Sequence, residues 1–174
     1  PCWQFTLVNA ENEISHWMYG GEEDPLYVYR IGRHLKLYRP KAPHKNGRYI
    51  GNTNRDDIFG LEQLKAGETV VITAGQKDAL TMMANFRVKA IAFNSESLMP
   101  DQATMLSIAK RSSKVFCLYD NDATGMACST KLCLTYPFVT RIPFETMAFG
   151  HKDVSDVVMA KDSRVMDLIR ECLS

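Results

Sequence analysis

Hydrophobic and polar residues follow two different patterns along the chain. In the first third, short runs of aromatic and β-branched residues are separated by polar turns, which predicts antiparallel strands. These predicted strands cover residues 3–9, 14–19, 26–31 and 35–38. Residues 40–54 are rich in proline, glycine and asparagine, so we predict a loop there. Residues 56–65 are predicted to form a short helix.

After this region, buried-type strands alternate with helices. The predicted strands are residues 70–73, 88–93, 115–119 and 138–142. The predicted helices are residues 77–86, 100–110, 123–134, 154–159 and 164–173. This alternation is typical of βαβ units, which build a parallel sheet flanked by helices. We therefore expect a small β-rich subdomain over residues 1–65 and an α/β domain over residues 66–174.

Two acidic residues follow the apolar strand at residues 115–119. Asp120 and Asp122 are spaced one residue apart, and Gly125 comes three residues later. Open α/β sheets bind their ligands at the carboxyl ends of their strands, where these two side chains are expected. Neighbouring carboxylates repel each other unless a cation lies between them, and their hard oxygens suit Mg²⁺ or Mn²⁺. The pair therefore predicts a metal site next to bound phosphate.

Two further loops are expected at the same edge of the sheet. Gly75 follows the first strand of the α/β domain, where a glycine permits a tight turn and the close approach of a ligand, and Asp78 follows in the next helix. Lys152, Asp153 and Asp156 surround the start of a later helix. One of these two aspartates can cap the helix, and we assign Asp156 to the metal. The ammonium of Lys152 would neutralise phosphate charge.

The formal net charge is only +1, but the basic residues are unevenly distributed. Residues 26–54 contain no acid and seven cationic side chains, namely Arg30, Arg33, Lys36, Arg39, Lys41, Lys45 and Arg48. Such a stretch is expected to bind a nucleic-acid template or a triphosphate, with an affinity that falls as salt rises. Tyr38 and Tyr49 can stack on unpaired bases. The alternative interpretation is the solvated face of a hairpin.

The five cysteines form no Cys-x-x-Cys pair, so we expect free thiols and a reducing cytoplasm. No apolar run approaches the roughly 20 residues that a membrane span needs, and no signal-peptide pattern is present. We therefore expect a cytoplasmic protein without membrane contact. The chain starts at Pro1 rather than at a methionine, from which we expect a fragment of a larger protein.

The three loops, taken in this order, resemble the Toprim domain. This module is shared by bacterial-type DNA primases, type IA and type II topoisomerases and some nucleases. The matching motifs are Gly75-x-x-Asp78-Ala-Leu, Asp120-x-Asp122-x-x-Gly125 and Lys152-Asp153-x-x-Asp156, within residues 66–160. The first and third motifs favour the primases, especially the phage-type primase-helicases. The segments at residues 36–40 and 58–61 also resemble the region that precedes Toprim in those proteins.

This resemblance implies the catalytic core of a DNA primase from a phage or mobile element. The implied reaction is Mg²⁺- or Mn²⁺-dependent synthesis of RNA primers on a single-stranded DNA template from ribonucleoside triphosphates, with a replicative helicase as a further partner. Asp78 and Lys152 would take part in catalysis. The metal ligands would be Asp120, Asp122 and Asp156. Nucleotide or nucleic acid would contact Gly75, Gly125 and the seven basic residues.

The chain departs from the family pattern in the first loop. Ala74 stands where the family normally has a glutamate, and Gln76 stands where it often has a second acid. That glutamate is taken as a general acid/base or a metal ligand in the family, and Asp78 is the nearest acid that could replace it. Two alternatives therefore remain open. One is a Toprim nuclease or topoisomerase-like enzyme, and the other is a non-catalytic nucleic-acid-binding module.

Overall fold

Antiparallel strands form the first part of the chain, as the hydrophobic pattern predicts. The computed structural model describes residues 3–8, 14–20 and 25–174. The strands are β1 (Trp3–Val8), β2 (Ile14–Gly20), β3 (Tyr27–Ile31), β4 (His34–Tyr38) and β5 (Tyr49–Gly51). β1 and β2 form an antiparallel pair. β3, β4 and β5 form a three-stranded antiparallel sheet with β4 at its centre.

Strand β5 and a short 3-10 helix at Lys45–Gly47 lie within the segment predicted as a loop, so that prediction is wrong here. The glycine that obscured the strand is needed to form it. A Cβ on Gly51 would lie 2.5 Å from the carbonyl oxygen of Leu35 on β4. The two backbones approach so closely that only glycine fits without a shift, and the sequence pattern carries no sign of that contact.

The second part of the chain is built on a parallel sheet. Its strands are β6 (Glu68–Thr73), β7 (Lys89–Ala92), β8 (Ser112–Leu118) and β9 (Val139–Arg141). They are arranged in the order β7-β6-β8-β9, and every neighbouring pair is parallel. The helices are α1 (Gln76–Phe86), α2 (Gln102–Arg111), α3 (Ala123–Thr135), α4 (Phe144–Met147), α5 (Val154–Met159) and α6 (Ser163–Leu173). The predicted α/β class, with a parallel sheet flanked by helices and preceded by a small β-rich part, is confirmed.

Strand β6 is buried on both of its faces. Successive strand residues point to opposite faces, and Val70, Val71 and Ile72 are all fully buried. Helices therefore cover both sides of the sheet, as is usual for parallel sheets. Each of these side chains stabilises the fold by about 1.5–3 kcal/mol relative to exposure to water. Strand β6 therefore holds the start of the following loop in place.

The short helix predicted over residues 56–65 is wrong. Only a 3-10 helix at Leu61–Gln63 forms there, because the preceding backbone pairs with the edge of the sheet. The amide of Phe59 donates to the carbonyl of Ala92 over 2.9 Å, and the reverse bond measures 3.1 Å. Gly60 follows with a φ of 81°, and a Cβ there would lie 2.5 Å from the carbonyl oxygen of Ala90.

The chain divides into two compact units, residues 1–57 and 58–174. Ile58 and Leu64 belong to the buried core of the second unit. Within the first unit, Leu37 is buried and packs against partly buried aliphatic neighbours. The boundary predicted between residues 65 and 66 stays a prediction. No helix in the described ranges is long and apolar enough to cross a membrane.

Candidate metal centre

Two of the three predicted loops emerge side by side from neighbouring strands. Strands β6 and β8 are adjacent and parallel, and Thr73 at the end of β6 lies opposite Leu118 at the end of β8. Asp120 follows β8 by two residues, and Asp78 lies in the first turn of α1, which follows β6. The pairing of these strands therefore places both carboxylates at one edge of the sheet, as the sequence predicts.

Asn121 connects the third loop to the second. Its backbone amide donates to the carbonyl of Lys152 over 2.7 Å, and its side-chain amide donates to the carbonyl of His151 over 3.1 Å. Helix α5 is also joined to α1, through a 3.0 Å hydrogen bond between the hydroxyls of Ser155 and Thr81. These contacts bring the start of α5 to the edge of the sheet where β6 and β8 end.

Three carboxylates meet where the loops converge. Asp78, Asp120 and Asp153 each provide an oxygen, and these oxygens lie within 4.8 Å of one another. Asp78 and Asp153 are buried, with 7% and 8% of their surface exposed. A divalent cation bound at about 2.0–2.6 Å from each oxygen spans separations of this size. The donor set, three hard carboxylates, fits Mg²⁺ or Mn²⁺.

Two carboxylates near this edge also cap helices. The Oδ1 atom of Asp122 accepts from the amide of Gly125 over 2.9 Å, which caps α3. The Oδ1 atom of Asp153 accepts from the amide of Asp156 over 2.9 Å, which caps α5. A cap uses one oxygen of a carboxylate and leaves the other available to bind a cation. Each cap therefore holds its carboxylate in place without using all of its ligand capacity.

Lysines partly neutralise the cluster. The Nζ atom of Lys152 lies 3.2 Å from Asp120 Oδ2 and 3.7 Å from Asp122 Oδ2. The Nζ atom of Lys77 lies 2.8 Å from Asp153 Oδ2. The two lysine side chains are 60% and 49% exposed, so water screens them and each pair contributes at most about 1 kcal/mol. The lysines reduce the negative charge without cancelling it.

Burial, together with the remaining negative charge, raises the pKa of two acids of the cluster. Burial, followed by the charge of Asp153, raises the pKa of Asp78 from its usual 3.8 to about 6. The hydroxyl of Ser155 donates to Asp78 Oδ1 over 2.7 Å and opposes this shift only in part. Burial also raises the pKa of Asp120, even though Lys152 lowers it. Desolvation therefore outweighs the nearby lysines at both carboxyls.

The backbone needs a glycine at only one of the two predicted positions. A Cβ on Gly125 would lie 2.2 Å from the carbonyl oxygen of Asp120, so no side chain fits there without moving the loop that carries Asp120. Gly75 has an ordinary extended backbone with φ −153°, and the nearest atom to a Cβ there is 3.8 Å away. The expectation that Gly75 is needed for a tight turn is wrong. Its contact with a nucleotide stays a prediction.

The other predicted ligands lie beside the three carboxylates rather than among them. The side chain of Asp122 is 40% exposed and faces Lys152. Asp156 Oδ2 accepts from the backbone amide of Lys152 over 3.3 Å. Asp153 is the aspartate of this helix start that joins the cluster, with Oδ1 capping α5 and Oδ2 accepting from Lys77 Nζ over 2.8 Å. The metal-binding roles of Asp122 and Asp156 stay predictions.

Reasoning from the sequence missed an acid in the loop that follows β7. Burial, followed by the charges of Asp120 and Asp122, raises the pKa of Glu96. Its Oε2 atom is buried and has no hydrogen-bond partner among the described residues. Its position in the sequence could have indicated it, because the loop after β7 opens at the same edge of the parallel sheet as the loops after β6 and β8.

The predicted basic residues do not share one face of the three-stranded sheet. Arg30 on β3 lies opposite Leu35 on β4. Lys36, the next residue of β4, lies opposite Tyr29 on β3. Because neighbouring strand positions point to opposite faces, Arg30 and Lys36 point away from each other. Arg33 lies in the turn between β3 and β4 and is exposed. These basic residues therefore lie on different sides of the sheet instead of forming a single cationic strip.

A row of tyrosines crosses this sheet. Tyr27, Tyr38 and Tyr49 lie opposite one another on β3, β4 and β5. The ring centroids of Tyr27 and Tyr38 are 6.0 Å apart, and those of Tyr38 and Tyr49 are 4.8 Å apart. The Nζ atom of Lys36 lies 5.2 Å from the centroid of Tyr49. Tyr27 and Tyr49 are about half exposed, so the row offers aromatic surface next to a cation.

We predict that Asp78→Asn stabilises the metal-free protein at neutral pH. The folded state binds the Asp78 proton more tightly than the unfolded state does. Its contribution to stability is therefore complete below about pH 4 and is lost as the pH rises through 6. Urea unfolding in EDTA should show the variant more stable by about 1–3 kcal/mol at pH 7.5, with a smaller difference at pH 4.5.

The matched control for this measurement is Asp167→Asn, because the Asp167 side chain is 65% exposed on α6 and pairs with the surface residue Arg170. Its free energy of unfolding should change little at either pH. A wild-type protein as stable as Asp78→Asn at both pH values would contradict the electrostatic description of the site.

Comparisons with known proteins identify the fold. No protein-family model matches the sequence, and no curated protein sequence matches it either. Among solved structures, the primase fragment of the bacteriophage T7 primase-helicase superposes with a TM-score of 0.64 at 15% identity, over 88% of this chain and 66% of that one. The Aquifex aeolicus primase, comprising its zinc-binding and RNA polymerase domains, superposes with a TM-score of 0.60 at 20% identity, over 88% of this chain and 42% of that one.

A third similar structure is the DnaG primase catalytic domain bound to single-stranded DNA, with a TM-score of 0.54 at 15% identity, over 93% of this chain and 57% of that one. The chain thus spans between about two fifths and two thirds of the length of these three relatives. Identities this low establish the architecture alone. The chain has the fold of bacterial and phage DNA primase catalytic fragments, which is a primase-type Toprim fold.

Proposed function

We propose that this chain is the catalytic-core segment of a DNA primase that makes RNA primers on single-stranded DNA. One observation carries the proposal. Three carboxylates from separate elements converge at the carboxyl edge of the parallel sheet, in a chain with the primase-type fold. Nucleotidyl transfer requires such a cluster, because negative charge develops on both the attacking and the leaving oxygens.

In this proposal, Asp78, Asp120 and Asp153 hold a divalent cation, Mg²⁺ or Mn²⁺. A cation held there would activate the attacking 3′-hydroxyl, and a second cation would stabilise the leaving pyrophosphate. Asp122 and Asp156 keep their predicted places as additional ligands at the edge of the cluster.

Lys152 is the residue we assign to the triphosphate. Its side chain is 60% exposed, and its ammonium lies beside Asp120 and Asp122. A cation bound by these carboxylates would release the ammonium toward phosphate oxygens. Asp78 is assigned its part in catalysis as a ligand of that cation, because its buried carboxylate is the acid nearest along the chain to the position of Ala74.

The β-rich unit is proposed to bind the single-stranded template. Its basic residues supply the charge, and the row of Tyr27, Tyr38 and Tyr49 supplies surface on which unpaired bases can stack. The DnaG catalytic domain that shares this fold binds single-stranded DNA, which supports the proposal. A replicative helicase is the proposed further partner, since a similar fragment comes from a primase-helicase. A phage or mobile-element origin and a cytoplasmic location are likewise proposals.

One observation favours a second candidate, a nucleic-acid-binding module without catalytic activity. Ala74 follows β6 directly and brings no carboxylate to the cluster, although it lies at the edge where Asp78 and Asp120 meet. A protein with this fold could therefore bind DNA and metal without forming phosphodiester bonds.

We predict that Mn²⁺ raises the thermal stability of the chain. A cation that binds only the folded state at 100 times its Kd adds about 2.7 kcal/mol. In a chain of this size, that energy corresponds to a rise in Tm of about 5–10 °C. Thermal unfolding with increasing Mn²⁺ should show this rise in wild type and lose most of it in the Asp120→Asn/Asp122→Asn double variant.

Asp167→Asn is again the control and should keep the full rise in Tm, because Asp167 lies on the surface of α6. An equal rise in the double variant would place the cation elsewhere and contradict the site.

We predict primer synthesis by the intact protein on single-stranded DNA with labelled ribonucleotides and Mg²⁺. In the Asp120→Asn/Asp122→Asn variant, the rate of primer synthesis should fall by a factor of about 100 or more, since electrostatic stabilisation of the transition state is usually the largest catalytic contribution. Cleaved DNA without primers would favour a nuclease or a topoisomerase-like enzyme. Binding without either product would favour the non-catalytic module.

We predict that the β-rich unit dominates the salt dependence of single-stranded DNA binding. Removing one cation that pairs with a DNA phosphate should reduce the slope of log K against log salt by about 0.7. A variant with four exposed residues changed to alanine, Arg30, Arg33, Lys41 and Arg48, should therefore have a slope smaller by up to about 3. Fluorescence anisotropy at several salt concentrations measures the slope.

The matched control removes the same charge from the α/β unit, by changing the exposed residues Lys65, Lys110, Lys131 and Lys161 to alanine. We expect this variant to retain the slope of the wild type. Equal reductions in the two variants would show that the basic stretch has no special part in binding.

A further inference from the structure

We infer that Lys77 is a second phosphate-binding residue of this site, and that a bound cation releases it from the carboxylates. The inference rests on the proposed function, because it concerns how the same site takes its substrate. The ligand class is a phosphate group of a nucleoside triphosphate. The motif Gly75-x-x-Asp78 leaves the position of this lysine open, so no role is assigned to it by the resemblance.

The ammonium of Lys77 contacts the oxygen that Asp153 can offer to a cation. Its Nζ atom lies 2.8 Å from Asp153 Oδ2 and 3.9 Å from Asp78 Oδ1. The other oxygen of Asp153, Oδ1, caps α5 by accepting from the amide of Asp156 over 2.9 Å. A divalent cation at Oδ2 and the ammonium would repel each other, because both are positively charged. The ammonium must therefore move away when a cation binds.

Lys77 is free to make this move. Its side chain is 49% exposed, and a lysine stem is flexible. The backbone of Lys77 stays in place, because it lies in the first turn of α1 next to Asp78. Lys152 contacts the cluster elsewhere, at Asp120 and Asp122. A triphosphate bound to the cation would therefore meet one lysine from α1 and another from the loop before α5.

The start of α1 favours an anion as the new partner of the ammonium. Gly75 is the N-cap and gives α1 no side-chain cap in the described part of the chain. The first amides of a helix lack partners within the helix, and the helix dipole favours negative charge there. Residues 74–77 contain no acid. A Cβ on Gly75 would meet only Asp78 Oδ2 within 4 Å among described residues beyond its chain neighbours, so there is space beside the cluster.

Gln76 gives an independent indication of a ligand at this helix start. Its side chain is buried, with 4% of the residue exposed, and its Nε2 atom has no hydrogen-bond partner among the residues that the structure describes. The Cα–Cβ bonds of a helix tilt toward its N-terminus, so this side chain is directed to the end of α1 that carries Asp78. A buried donor without an acceptor is costly, and a phosphate oxygen would satisfy it.

The test compares two affinities of one variant, Lys77→Met, which keeps the length of the side chain and removes its charge. Mn²⁺ binding is titrated by electron paramagnetic resonance, and ATP binding in saturating Mg²⁺ is measured by calorimetry. Mn²⁺ alone should bind about twofold to fivefold more tightly, because the competing ammonium is gone. ATP should bind about tenfold more weakly, because a charge-assisted hydrogen bond is lost. A lysine that only joins α1 to α5 would weaken both affinities when removed.

Further variants make the comparison specific. Gln76→Met should weaken ATP binding and leave the Mn²⁺ affinity unchanged, because it removes a donor but no charge. The matched control is Lys110→Met, an exposed lysine in the last turn of α2 before the opposite end of β8, and it should change neither affinity. In EDTA, Lys77→Met should unfold within about 4 °C of wild type, since it loses only a half-exposed ion pair.

Single-stranded DNA without nucleotide separates the two sources of phosphate, and Lys77→Met should bind it as wild type does. Weaker DNA binding with unchanged ATP binding would overturn the assignment of Lys77 to the triphosphate. Unchanged ATP binding, or a parallel loss of Mn²⁺ and ATP affinity, would also overturn it. In these cases the proposed metal site still stands if Asp120→Asn lowers the Mn²⁺ affinity. If wild type binds no Mn²⁺ at millimolar concentration, both proposals fail.

Discussion

Mutual repulsion among buried carboxylates is the constraint on which this site depends. Two such charges 4.8 Å apart repel by on the order of 3 kcal/mol at the effective dielectric constant of a protein site. The half-exposed lysines nearby offset this repulsion only in part, because the pKa of Asp78 and that of Asp120 remain raised beside them. The balance is negative, so the site favours either a proton or a divalent cation. The raised pKa of Asp78 reflects the first of these alternatives.

The fold tolerates this repulsion because helix starts surround the cluster. Asp122 and Asp153 are the N-caps of α3 and α5, where unpaired amides and the helix dipole favour negative charge by about 0.3–1 kcal/mol each. The Ser155 hydroxyl adds a donor to Asp78. These local contributions hold the carboxylates in place while leaving oxygens available for a ligand. In each of these two side chains, the oxygen that caps the helix is therefore not the only one that a ligand could contact.

The sequence predicts those features that depend on neighbours along the chain. Strands β6 and β8 follow from uninterrupted apolar runs, and their adjacency places Asp78 and Asp120 at one edge. Features that depend on distant partners were missed. Strand β5 was hidden by Gly51, which is required by contact with β4, and the segment around Phe59 pairs with β7 instead of forming a helix.

The same limit applies within the site. Asp153 and Asp156 are both aspartates at the start of one helix, and spacing alone cannot show which of them caps the helix and joins the cluster. Glu96 carries no motif, and only the order of the strands shows that its loop opens at the edge where Asp120 lies. By contrast, the close contact behind Gly125 agrees with the family motif, since the backbone of Asp120 leaves no room for a side chain.

Asn121 helps to set the spacing between the acidic side chains, which their charges alone do not set. This residue is uncharged, yet its two hydrogen bonds determine how far the loop of Asp153 lies from the loop of Asp120. The spacing of the carboxylates and their number are therefore controlled by different positions in the chain. A substitution at Asn121 would remove its side-chain bond to His151 and so alter the spacing between the acids without changing a single acidic residue.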